Sequence, residues 1–382
     1  MPTLLRSKSM MLIQRAREEQ PRNRLQRALT TIRMAVVLGL AATTLTSCTL
    51  AGADFGVYVV RTPSGTPGRV GEPAGVPVWS PTDDTVIWAN EDGLFLRPPD
   101  GSIPANLFES AVAGRPAWSP DGKLLAFIDR DRASLVVMTP DSGIVRFTES
   151  VANESIAARF PTLLTLGGPS WAPDGSVLAY VCWDGAGDEV CLIQADGSHP
   201  RQITHLEPSE KETSGAVAPP LPAAANAGPP VWSPDGEFLA VAAYPERGGA
   251  PRGVFIIGIE HGSTRRVSTL LPNSAISWFP DGDSILFSAT QEGRSDALQV
   301  SVRDSVERRL TAGLPDGARD PVLSPDQARL AVERGGEIVV LDLQGGTLEY
   351  AVPSLRATHP AWNFNGTAIA FSADVDPMAS FN

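Results

Sequence analysis

AWSPDGKLLAF, residues 117–127, packs a tryptophan, a tight turn and an apolar run into one short phrase, and the phrase recurs along the chain. The other copies are VWSPTDDTVIW from Val78, SWAPDGSVLAY from Ser170, VWSPDGEFLAV from Val231, SWFPDGDSILF from Ser277, VLSPDQARLAV from Val322 and AWNFNGTAIAF from Ala361. Measured from Trp79, Trp118, Trp171, Trp232, Trp278, Leu323 and Trp362, the spacings run from 39 to 61 residues. Strand-rich repeats with a period of about 40–50 residues are the signature of propeller blades.

Each copy encodes a hairpin. In Ser119-Pro120-Asp121-Gly122 the proline ring presets φ at the first central turn position, and Gly122 can take the left-handed conformation that closes a bulged turn. Thr82-Asp83-Asp84 and Asp326-Gln327 lack that glycine, so looser turns are expected there. A second strand pair follows each hairpin, as in SLVVMT, the turn PDSG and IVRFT after LAFIDR. Four short strands per repeat make one blade, and the chain reads as all β.

The copy from Ala361 has too little chain after it to finish a blade. Gly56–Val70, GVYVVRTPSGTPGRV, has the character of a third and fourth strand with no hairpin phrase before it. The N-terminal strands are therefore expected to complete the last blade, placing Tyr58 and Val60 beside Ile369 and Phe371 and hiding the edges of the ring. The result is a seven-bladed β-propeller over residues 56–376 with a tail at 377–382; counts of six or eight are the alternatives.

The WSPDG and LAF elements and the closing Leu/Phe-Thr resemble the WD-like β-propeller repeats of the TolB family over about Gly56 to Asp374. That resemblance implies the fold, and a role in protein binding within envelope complexes. Two departures stand out: the sequence ahead of Gly56 does not read as the α/β domain that accompanies the propeller in TolB, and seven blades exceed the six usual in that family.

Residues 1–33 carry eight Lys/Arg against Glu18 and Glu19, followed by MAVVLGLAATTLTS from Met34 and then Cys48. A basic region, a short apolar region and small residues at its end read as a secretory signal over residues 1–47. Leu45-Thr46-Ser47-Cys48 looks like a bacterial lipobox, which would make Cys48 the lipidated first residue of a tether over 48–55 and hold the protein to a membrane outside the cytoplasm. An uncleaved signal anchor is the alternative, although the apolar stretch falls short of the roughly 20 residues a spanning helix needs. Met11 or Met34 could be the true start.

The chain has 31 Lys and Arg against 43 Asp and Glu, a net charge of −12, and loss of residues 1–47 makes it more acidic still. Such a surface repels phosphate backbones, so nucleic acid is not an expected partner. Besides Cys48 the cysteines are Cys182 and Cys191. If Asp184 and Glu189 close the loop between their strands, the two stand directly opposite each other; a disulfide and a pair of buried free thiols are both open. They make no zinc site, and Asp184, Asp188 and Glu189 read as a solvated tip rather than a calcium site. No cofactor is expected.

Loop length singles out one face of the disc. Turns after each tryptophan and between third and fourth strands are short, whereas crossovers such as 149–168 and 206–228 and several second-to-third loops are long. The long-loop face is therefore the expected working surface. The stretch from Glu207, rich in Pro and Ala, reads as a tolerated insertion or as an arm for a partner; that from Ser150 packs on the rim or presents Phe160, Leu163 and Leu164.

Three residues before each blade tryptophan or its equivalent stand Val76, Arg115, Gly168, Pro229, Ala275, Asp320 and His359. This register brings Arg115, Asp320 and His359, with Arg319 close by, to the mouth of the central channel, where convergent polar groups define a candidate binding site. Signatures of catalysis are poor. There is no Gly-x-Ser-x-Gly elbow, Gly282-Asp283-Ser284 belongs to a turn and strand, and His199, His205 and His261 lie away from the mouth. The chain is thus expected to bind an envelope protein or peptide without being an enzyme; a hydrolase or lyase, or a ligand sensor, using His359 and Asp320 is the alternative.

Overall fold

A computed structural model describes residues 54–62, 65–141, 143–148, 168–183, 188–204, 225–245, 252–260, 263–344, 348–352 and 355–375. The signal, lipobox and tether expected up to residue 53, the insertions at 149–167 and 205–224, the tip at 184–187, His205, His261 and the tail after 375 lie outside the described residues.

Seven antiparallel sheets follow one another along the chain, and no helix occurs among the described residues. In the second blade Val112–Trp118, Leu125–Asp129, Ser134–Thr139 and Gly143–Thr148 lie side by side in sequence order. The other blades repeat the pattern. The fourth adds Ala225–Ala227, which pairs with Phe238–Pro245 alongside Val231–Trp232. Between those two short strands Pro229 and Pro230 offer no N–H to a ladder.

The seventh blade joins both ends of the described chain. Leu355–Trp362 and Ala368–Val375 supply its first two strands, Asp54–Arg61 its third and Gly68–Gly71 its fourth. Tyr58 faces Phe371 and Val60 faces Ile369 in the ladder, the pairs expected from the sequence. The Tyr58 and Phe371 rings stack with centroids 6.0 Å apart. Closure begins two residues earlier than the sequence suggested, because Asp54 and Phe55 also pair, with Val375 and Asp374.

Apolar character on both sides of the middle strands follows from this layout, since each blade is sandwiched between two others. Tyr58, Val60 and Phe371 pack on Ala331, Ile338 and Val340 of the sixth blade. Val57, Val70 and Ala370, on the opposite side of the same blade, pack on Val86 and Trp88 of the first. Burial of each such large side chain contributes about 1.5–3 kcal/mol.

The repeated phrase is explained by two sets of hydrogen bonds. In the second blade Ser119 N–H donates to the Leu124 carbonyl at 2.8 Å, its hydroxyl accepts from Leu124 N–H at 2.9 Å, and that hydroxyl donates to Asp121 at 2.7 Å. This bond, above all, holds the Asp121 carboxyl down at about 2. The second set links blades: Trp79 donates its indole N–H to the Ala361 carbonyl at 2.9 Å, Trp171 to Ala117, Trp232 to Ser170, Trp278 to Val231 and Trp362 to Val322. Each acceptor directly precedes the tryptophan or leucine of the preceding blade. Trp118 departs from the rule, for its indole nitrogen is enclosed without a partner.

Of the two turns expected to loosen, that of the sixth blade does not and that of the first does. Gln327 adopts a φ of 60° and donates to the Ser324 carbonyl at 2.9 Å, the bond that Gly122 makes to Ser119. In the first blade residues 81–84 bend without the equivalent backbone bond, and the Asp83 carboxylate accepts from Thr85 N–H at 2.9 Å. Asp84 accepts from the Asn363 amide of the seventh blade, adding a polar link across the seam.

Cys182 and Cys191 form a disulfide with Cα atoms 5.8 Å apart. The expected register was wrong by two residues: Trp183 pairs with Asp188 and Cys182 with Glu189, so the cysteines are diagonal neighbours on one face of the sheet. The tip contains four residues, as expected, but it closes one residue earlier on the incoming strand and one earlier on the outgoing strand.

Candidate functional site

The innermost strands enter the channel with their ladders interrupted at one recurring place. In the sixth blade Arg319 pairs with Glu333 and Val322 with Ala331, so Asp320 and Pro321 together oppose one residue. In the seventh, Thr358 pairs with Ser372 and Ala361 with Ala370, leaving His359 and Pro360 opposite one residue. In the second, Gly114, Arg115 and Pro116 lie between the pairs Ala113 with Ile128 and Ala117 with Ala126. A bulge bends its strand and re-aims a side chain, and proline is accommodated there because no ladder bond is required of it.

Backbone conformation marks the same spots. Asp320 has a φ of 47° and His359 a φ of 54°, a region non-glycine residues rarely occupy, while in the second blade Gly114 takes the left-handed position at 73°. Two strained residues at equivalent positions in adjacent blades represent about 1–3 kcal/mol each, held by the surrounding sheets. Gly168 serves the bulge from the next blade. A Cβ there would lie 1.9 Å from the Arg115 carbonyl oxygen, so the approach of the two strands demands glycine.

A cavity of about 240 Å³ opens on these strands, lined by Arg115, Gly168, Pro229, Ala275 and Asp320 among others. Five of the seven positions singled out by the repeat register thus line one space. Val76 is not part of the lining, nor is His359, which is near enough for both Arg115 and Asp320 to act on its charge. Arg319 stands apart from this lining. It forms an ion pair with Glu333 at 2.9 Å beside the ladder, is 57% exposed and takes no part in the lining. Burial pushes the Glu333 carboxyl up, with Arg319 opposing and Asp320 reinforcing.

Arg115 is the group with the least compensation. Water reaches part of it through the channel, yet protein surrounds it, and burial lowers the affinity of its guanidinium for the proton against the pull of Asp320. Its Nε is enclosed without a hydrogen bond, and no ion pair or hydrogen bond to the guanidinium is found among the described residues. His359, whose Nδ1 lies 3.0 Å from the Thr358 hydroxyl, is held below its ordinary value of 6.5 by burial first and by Arg115 second, with Asp320 opposing. At neutral pH the site therefore holds one cation, one carboxylate and a neutral imidazole. The bulges were not foreseen from the sequence, although an X-Pro step at six of the seven copies, as in Arg115-Pro116, Asp320-Pro321 and His359-Pro360, was the available signal.

Residues 222–380 match the family profile described as the TolB beta propeller domain. Over that span the repeats are similar to those of TolB-type propellers. A curated relative, the "uncharacterized peptidase YuxL" of Bacillus subtilis strain 168, is 27% identical over 212 residues, which is 54% of this chain and 29% of that protein's length. Among solved structures, the Swd1 β-propeller domain named for Myceliophteria thermophila superposes with a TM-score of 0.56 at 11% identity, covering 82% of this chain and 98% of that one. An oligogalacturonate lyase from Vibrio parahaemolyticus does so with a TM-score of 0.55 at 9% identity, over 85% and 98%. At such identities the likeness is one of fold. Among the described residues of the propeller, no group of three or more His, Cys, Asp or Glu is placed to hold a metal ion.

Proposed function

We propose that this TolB-type propeller is a lipid-tethered, extracytoplasmic binding module that takes a protein or peptide of the cell envelope on its long-loop face. The observation that carries the reading is the cavity at the inner strands, where bulged backbone brings Arg115 and Asp320 into one lining with His359 close enough to feel the charge of both. Strain concentrated on polar residues around a cavity is characteristic of a functional site. The lipobox sequence ending in Cys48 supports attachment to a membrane outside the cytoplasm. The acidic balance of the chain, 43 acidic against 31 basic residues, argues against nucleic acid as partner.

The test is crosslinking of the full chain in intact membranes, followed by affinity recovery and mass spectrometry. A specific envelope protein is expected, lost on deletion of residues 207–228 or on Arg115→Glu. Incorporation of a tagged fatty acid, abolished by Cys48→Ala, checks the tether. Recovery of the same proteins with wild type and both variants would refute the reading.

A second reading, an enzyme acting at the same mouth, draws on the neighbourhood of His359 and Asp320 and on a fold neighbour named as a lyase. Turnover of acidic oligosaccharides by purified protein, lost in His359→Gln, would favour it.

A further inference from the structure

Arg115 lines the cavity, and among the described residues its guanidinium has no ion-paired anion. Asp320 lies in the same lining but forms no ion pair with it, and Nε is shut away from water without an acceptor. An enclosed donor left unmatched costs free energy, and a charged one costs more. The fold nevertheless maintains the arrangement at several points at once. The bulge at Gly114–Pro116 aims the side chain, Gly168 yields its Cβ so that the bulge fits, and left-handed backbone presents Asp320 from the sixth blade. A guanidinium fork is matched in geometry by a carboxylate, which can accept two parallel hydrogen bonds.

We propose that the channel mouth is a carboxylate-binding site in which Arg115 grips the ligand's carboxylate and Asp320 faces a hydrogen-bond donor at its other end. The inference deepens the binding reading above and rests on it. Arg115 is the anchor, and the cavity of about 240 Å³ admits a small acid or the last residues of a peptide. His359 modulates the grip. It is neutral at neutral pH, so it adds no second cation there. Asp320 disfavours ligands that carry a second negative charge at the far end.

Isothermal titration of the full chain with paired probes tests this. Triglycine is compared with triglycine amide, and glucuronate with glucose, so that each pair differs in its carboxylate and the two pairs separate a peptide terminus from a sugar acid. At least one acid is expected to bind at concentrations up to about 10 mM, and its neutral counterpart at least about tenfold more weakly. Arg115→Gln should weaken the acid to the level of the neutral probe. Equal binding of acid and neutral probe, or no binding of either acid, would overturn the proposal, and this comparison uses wild-type protein alone. Envelope-partner recovery that survives Arg115→Gln while no acid binds would sink the carboxylate site but leave the binding module standing. Acid binding without any recovered partner would do the reverse.

Discussion

Trp79 and Trp118 occupy equivalent places in adjacent blades, both half-buried, yet one indole N–H is satisfied and the other is not. Replacing each with phenylalanine removes the same ring area, so the packing losses largely cancel when the two variants are compared. Trp79→Phe forfeits the 2.9 Å bond to the Ala361 carbonyl, a net loss of about 1 kcal/mol. Trp118→Phe sheds an enclosed donor whose desolvation costs about 1–3 kcal/mol. Trp79→Phe should therefore be the less stable by about 2–4 kcal/mol. Urea unfolding followed by far-ultraviolet circular dichroism measures the difference, with a common slope for both variants. Equal destabilisation, or Trp118→Phe as the worse variant, would refute the view that the tryptophans act as blade-to-blade hydrogen-bond donors.

Phe371→Ala empties a fully buried site stacked on Tyr58 at the closing seam and should destabilise the ring by about 3–5 kcal/mol in the same assay. Reduction of the Cys182–Cys191 disulfide, whose partners are nine residues apart, should cost about 2–3 kcal/mol, read as a fall in the urea midpoint on adding reductant. His359 holds its proton less tightly folded than unfolded, so the unfolded chain binds more protons in the window just below the ordinary value of 6.5. Stability should accordingly fall on acidification from that value, and His359→Gln should flatten the fall in a pH series of unfolding curves. Gly168→Ala should destabilise by about 1–3 kcal/mol through collision with the Arg115 carbonyl, and a neutral result in thermal unfolding would show that the bulge can give way.

Much of the architecture was legible because it depends on local chemistry repeated seven times. Ser119 and Asp121 build their turn from neighbours within five residues, and Tyr58 could be matched to Phe371 because a half-blade at each end leaves one way to close. Arg115 and Asp320 were placed in the channel from register alone. What escaped depends on non-local or sub-residue detail. Arg319 was drawn aside by Glu333 across the ladder, and nothing in its own segment announces that partner. The cysteine register turned on which residues close a tip, a choice that slips with no change in composition. Gln327 kept a glycine-type turn because the Ser324 bond favours it more than its side chain opposes it.

The seam between Asp54–Arg61 and Ala368–Val375 imposes an order of events on biosynthesis. Its partners are separated by about 310 residues, so the earliest strand to be made idles until nearly all the rest has followed. Meanwhile the edge of Asp54–Arg61 offers unpaired backbone to any stray strand. A nascent molecule is thus most vulnerable to exchanging segments with a sibling in the moments before its own beginning comes home.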